Sequence, residues 1–172
     1  MLIRREVAAD VEAIDRVHRA AFAAGAGGAE PIEVGLVHAL RVDAGWVPAL
    51  SLVAEDAGGQ VVGHVVCTEG SLEGTPVVGL GPIGVLPEVQ RAGVGRALMH
   101  AVLAAADALG YPLAVLLGHL DYYPQFGFRP AATLGVLAPD PAWGDHFQAR
   151  PLATWTPELR GRFRYAAPFE AL

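Results

Sequence analysis

The sequence predicts an α/β (α+β) domain built on a mixed, mostly antiparallel sheet with helices on both faces. Three observations lead there. An apolar run, Leu50–Glu55, and a valine-rich one, Gln60–Thr68, flank Ala57-Gly58-Gly59 and read as an antiparallel hairpin. Two later apolar runs bracket a long helical stretch, and such a strand–helix–strand unit implies a parallel pair with a right-handed crossover. Both patterns fall within 172 residues, of which 53% are hydrophobic. That is the size of one domain with a real core, so residues 1–172 read as a single domain.

The elements follow in order. Leu2–Glu6 reads as a short strand. Val11, Ile14, Val17, Ala21 and Phe22 recur at helical spacing, with Asp10 near the start, where an acid suits the helix dipole. A Gly/Ala loop, Ala24–Ala29, precedes Pro31, a residue type that often opens a helix. Ile32, Leu36, Val37 and Leu40 mark one face of that second helix, which is expected to end near Gly45. Leu50–Glu55 and Gln60–Thr68 are the hairpin strands. Glu69–Thr75 reads as a loop and Pro76–Val85 as the next strand. Ala92–Leu109 is a strong helix with Gly110 just past its end. Leu113–Leu117 is a short buried strand, and Leu120–Phe126 a helical or turn segment. The tail from Pro130 is rich in proline and is expected to hold short strands near Thr133–Ala138 and His146–Leu152.

The formal net charge is −6, and all 12 basic residues are arginine. No basic run exists, which argues against nucleic acid as a partner. No apolar run approaches the ~20 residues of a membrane span, and the N-terminus carries no apolar signal region. Cys67 is the only cysteine, which excludes an internal disulfide and a thiolate zinc site. The six histidines show no metal-ligand spacing, so no metal is expected. A cytoplasmic protein is the simplest reading.

One stretch carries chemistry. A strand ends at Val85, Pro87 breaks it, and Gln90-Arg91-Ala92-Gly93-Val94-Gly95-Arg96 opens the long helix. Two glycines at a helix start let the backbone approach a ligand, and the free N–H groups and dipole there attract an anion. Arg91 and Arg96 add full positive charge. The construction suits a pyrophosphate.

Here the sequence resembles the GCN5-related N-acetyltransferase (GNAT) superfamily, whose acetyl-CoA signature is Gln/Arg-x-x-Gly-x-Gly/Ala between a strand and a helix. A second match is Tyr122-Tyr123-Pro124-Gln125-Phe126-Gly127-Phe128, which is similar to the family's tyrosine followed four residues later by Gly-Phe. The order of elements over residues 2–130 also fits. The resemblance implies acetyl-CoA as co-substrate, an amine acceptor on a small molecule, a peptide or a protein, and direct attack in a ternary complex. It implies Gln90, Arg91, Ala92, Gly93, Val94, Gly95 and Arg96 as pyrophosphate-binding positions. In the family the preceding strand splays from its parallel neighbour to admit the pantetheine arm, which places Ile83, Gly84 and Val85 against that arm. Pro82 has no N–H, so a backbone N–H at Ile83 or just after it would hold the thioester oxygen. Homodimers are common among such folds.

Gly79-x-Gly81-x-x-Gly84 is a literal dinucleotide fingerprint, but Pro82 and Pro87 leave no room for the helix it must open. These glycines read instead as a bulge or bend in a strand. Acetyl transfer also needs a proton for the departing thiolate. Tyr123, at the family tyrosine's distance from Gly127, is the candidate catalytic residue, and Tyr122 is the neighbour from which it must be told apart. The base is left open among water, Glu69, Glu73 and His119. The rival functional reading is an acyl-CoA-binding module without catalysis. His64 and Cys67 are expected on opposite faces of their strand, with Cys67 in the core. Trp46, Trp143 and Trp155 either line the acceptor side or pack under loops.

Overall fold

The computed structural model describes residues 1–171. Strand β1 (Leu2–Arg5) and a short 3-10 turn lead into α1 (Val11–Phe22), followed by α2 (Ile32–Arg41). Strands β2 (Trp46–Glu55), β3 (Val61–Leu72) and β4 (Thr75–Val85) form a continuous meander. Helix α3 (Val94–Ala108) crosses to β5 (Leu113–Leu117). The tail adds β6 (Arg129–Pro130), β7 (Val136–Leu137), β8 (Phe147–Pro151) and β9 (Gly161–Arg164) among 3-10 turns. The main sheet runs β1-β2-β3-β4-β5-β8-β6, and the β4–β5 pair within it is parallel while its other neighbours are antiparallel.

Successive residues of a strand face opposite sides, and β3 shows this directly. A Cβ at Gly63 would meet Val94 and Leu98 of α3, whereas the next residue, His64, bonds His18 of α1. Helices α3 and α1 therefore cover opposite faces, and each buries an apolar stripe: Leu98, Met99 and Val102 from α3, Ile14 and Val17 from α1. The parallel pair is brief. Only Val78↔Ala114 and Gly79↔Val115 are in register, after which β4 continues to Val85 away from β5. The opened wedge between these strands positions the site.

The Gly79–Gly84 segment lies within β4, and no helix follows it. Between the pairs Val65↔Ile83 and Cys67↔Leu80, two residues of β4 (Gly81 and Pro82) oppose one of β3, which is a bulge. Several expected boundaries differ. Glu69–Thr75 is not a loop: β3 and β4 stay paired to Leu72↔Thr75 and close in a tight turn with positive φ at Glu73 and Gly74. Helix α2 ends at Arg41, β2 begins at Trp46, and α3 begins at Val94 because residues 90–93 form a turn. The expected strand at Thr133–Ala138 is a 3-10 turn (Ala131–Leu134) followed by the two residues of β7. Strand β9, absent from the sequence reading, pairs with both β3 and β7 and fastens the tail to the hairpin.

Candidate active site

Two adjoining cavities open at the wedge. The first has a volume of about 380 Å3 and runs from the end of β4 to the N-terminus of α3. Gly93 is the N-cap of α3 with φ 89°, and Arg91 is also left-handed with φ 64°. The first backbone bond back into the helix is Ala97 N–H to Gly93 O at 3.0 Å. The N–H groups of the first turn are thus left for a ligand, and the dipole makes that ligand an anion. A Cβ at Gly93 would meet nothing within 4 Å, which marks open space above the turn. Gln90 ties the turn to β4 by donating from Nε2 to Val85 O at 3.1 Å.

Every position expected for the cofactor lines this cavity except Ala92 and Val94. Val94 points the other way, into the core against Gly63, and Ala92 lies on the exposed outer side of the turn. A motif counts residues, but only the turn's geometry says which way each one faces. Ala21, Phe22, Tyr122 and Gln125, which the motif does not include, complete the lining.

The second cavity, of about 290 Å3, shares the Phe22 and Ile83 walls with the first. Tyr123 lines it together with Gly118 and His119, whereas Tyr122 lines the first cavity. The two rings are perpendicular, with centroids 5.1 Å apart. A Cβ on Gly118 would overlap the Tyr123 ring, so this glycine fixes where the ring lies. Burial pushes the Tyr123 phenol up to about 12, and the neighbouring Tyr122 adds to the shift. Tyr123 therefore keeps its proton at neutral pH and is a donor. Burial also raises the Tyr122 phenol, with Arg96 acting against the shift.

Of the candidate bases, only His119 reaches this cavity. Glu69 accepts a hydrogen bond from the Tyr111 hydroxyl at 2.7 Å, and Glu73 accepts from the Arg162 backbone N–H at 2.8 Å. Neither lines the two cavities. Cys67 is fully buried and its thiol is pushed well up by burial, as a core residue should be. Trp46, Trp143 and Trp155 pack against hydrophobic clusters rather than lining either cavity. Among the described residues, no group of His, Cys, Asp and Glu is placed to hold a metal ion, and no helix is long and apolar enough to cross a membrane.

A buried polar array lies beneath the first cavity. Ser51 Oγ and His64 Nε2 both reach Glu6 Oε2, and Arg41 Nε donates to Glu6 Oε1 at 2.8 Å. An ionised carboxylate only accepts, so His64 carries its proton on Nε2 and accepts at Nδ1 from His18 Nε2–H, 2.8 Å away. His18 Nδ1 is left with a buried lone pair, 3.0 Å from where a Cβ of Gly84 would sit. Burial holds His18 down at about 3, with His64 and Arg41 adding to it, and burial likewise lowers His64. Burial alone would raise Glu6, but the bonds from His64, Arg41 and Ser51 outweigh it and hold the carboxyl at about 2.

Comparison with known proteins agrees with this geometry. The family model described as an acetyltransferase (GNAT) domain matches residues 48–130. The uncharacterized N-acetyltransferase YhbS of Escherichia coli K12 is 35% identical over 155 residues, covering 89% of this chain and 88% of that protein. The uncharacterized N-acetyltransferase YjhQ of the same strain is 35% identical over 146 residues, 80% of each chain. The crystal structure of Escherichia coli YhbS in complex with CoA superposes with a TM-score of 0.86 at 32% identity, covering 98% of this chain and 91% of that one. A GNAT family acetyltransferase from Brucella melitensis in complex with acetyl-CoA gives 0.78 at 34% identity, covering 98% and 97%. By its sequence relatives, its splayed sheet and its helix-capped cavity, the chain belongs to the GNAT family of N-acetyltransferases.

Proposed function

We propose that the protein transfers the acetyl group of acetyl-CoA to a primary amine on a small molecule, by direct attack in a ternary complex. The observation that carries this reading is the junction of the two cavities at Phe22 and Ile83. One leads to the anion-attracting turn of α3 and the other holds Tyr123. The chain fits the cofactor: free amides at Gly93–Arg96, the Arg91 and Arg96 side chains, and an opened β4 edge at Ile83–Val85. When bound, acetyl-CoA supplies an activated acetyl carbon and a thiol leaving group.

The residues then divide the work. The α3 turn neutralises phosphate charge, and a β4 backbone N–H near Ile83 steadies the carbonyl oxygen. The amine nitrogen forms a bond to the acetyl carbon as the carbon–sulfur bond breaks. Tyr123 gives its proton to the departing sulfur, and His119 takes the proton the amine loses. The single buried cysteine, Cys67, suits a cytoplasmic setting. The test is thiol release from acetyl-CoA against a panel of amines. Amine-dependent release supports transfer. Tight acetyl-CoA binding with no release for any amine would make the protein a non-catalytic acyl-CoA-binding module.

A further inference from the structure

The acceptor cavity is apolar with one negative charge. Phe22, Leu36, Leu80 and Phe169 form its walls. Ile32 and Leu117 stand on its rim, 62% and 46% exposed, an apolar edge of the kind that a ligand covers. Glu33 is the one carboxylate in the lining, and no arginine joins it, in contrast to Arg91 and Arg96 in the first cavity. Asp15 and Glu30 on the neighbouring elements are already engaged, with His38 and Arg19. Glu33 is half-buried and, among the described residues, has no hydrogen bond or ion pair. A carboxylate set in an apolar wall is stabilised by a cation that reaches it.

We infer that the acceptor is a small primary amine on an aryl or branched-alkyl body, drawn into the cavity as its ammonium form by Glu33 and attacking once His119 has taken its proton. This rests on the acetyl-transfer reading above. At about 290 Å3 the cavity lies at the small end of ligand sites. An amino acid would bring a carboxylate toward Glu33 with no arginine to receive it. A polyamine would bring charges that the apolar walls cannot solvate.

The probe is 2-phenylethylamine, titrated by calorimetry into the protein saturated with CoA, beside phenylalanine and spermidine. The expected affinity for 2-phenylethylamine exceeds the other two by at least ~10-fold, and Glu33→Gln lowers it at least ~10-fold with CoA affinity unchanged. Ile32→Ser, at an exposed rim position that the fold does not need, weakens the same amine severalfold. Preference for phenylalanine or spermidine, or equal amine affinity in Glu33→Gln, overturns the assignment. Amine binding that depends on Glu33 without thiol release from acetyl-CoA supports the assignment and overturns only the catalytic reading.

Discussion

Tyr122 and Tyr123 are neighbours in the chain but line different cavities, and that separation makes them experimentally distinguishable. Phenylalanine removes only the hydroxyl. Tyr123→Phe is expected to lower kcat at least ~100-fold with acetyl-CoA affinity within about threefold, because a general acid contributes ~10²–10⁴ in rate. Tyr122→Phe is expected to cost less than about tenfold in kcat. Steady-state kinetics on both variants decide between them, and a crippled Tyr122→Phe with an intact Tyr123→Phe reverses the assignment. Gly93→Glu places a carboxylate at the amide cluster and forces a side chain onto φ 89°. Acetyl-CoA affinity, by calorimetry on the folded variant, is expected to fall at least ~10-fold; unchanged affinity would mean the phosphates do not rest on this turn. These residues were legible in the sequence because the chemistry is local: glycine spacing and a following helix suffice. The places of Phe22 and Glu33 in the cavity walls were not legible, because what brings them there is the docking of α1 and α2 beside β4, far away in sequence. That the Ala92 and Val94 side chains face away from the first cavity was not legible either, since the motif holds no record of which way a residue faces.

Among the elements, β9 shows where a sequence reading stops. Gly161-Arg162-Phe163-Arg164 alternates correctly, with Phe163 fully buried between exposed arginines. Four residues are too few to announce a strand amid prolines, and the partner, Ser71–Leu72 of β3, lies some ninety residues back. The same distance explains the misread loop at Glu69–Thr75. Gly70 looks like a loop residue, but its missing Cβ is the space that the Phe163 ring fills. Gly79, read as part of a bulge or bend, likewise makes room for Tyr165, so both glycines are seats for tail aromatics. Strands β2 to β5 and all three helices were readable from periodicity because each buries a stripe or run of its own. Phe163→Ala would leave a cavity under the β3–β4 hairpin and loosen the tail. A loss of ~3–5 kcal/mol in unfolding free energy is expected by urea titration. A loss below ~1 kcal/mol would show that the tail does not help hold the domain together.

The molecule as a whole should be sensitive to acid through the Glu6–His64–His18 array. Both histidines are held below their ordinary value of 6.5, and His18 is held at about 3. Below pH ~6.5 the unfolded chain therefore binds protons that the native state refuses, so stability is full above that pH and falls as pH drops. Each such proton contributes a slope of up to ~1.4 kcal/mol per pH unit. Glu6, held at about 2 against an ordinary 4.5, adds a loss of the same sign below pH ~4.5. Urea midpoints at pH 7.5, 6 and 5 should decline steadily; a flat series would contradict the buried array. A different consequence follows from the wall that Phe22 and Ile83 present to both cavities. Whichever ligand arrives first selects the rotamers of these two side chains, and so settles part of the ordering entropy the other would have lost. Thermodynamic linkage makes that assistance mutual: CoA must tighten the amine by the same factor by which the amine tightens CoA. Calorimetric titrations in both orders should return one ratio, about fivefold or more. Equal affinities with and without the other ligand would mean that the shared wall is rigid.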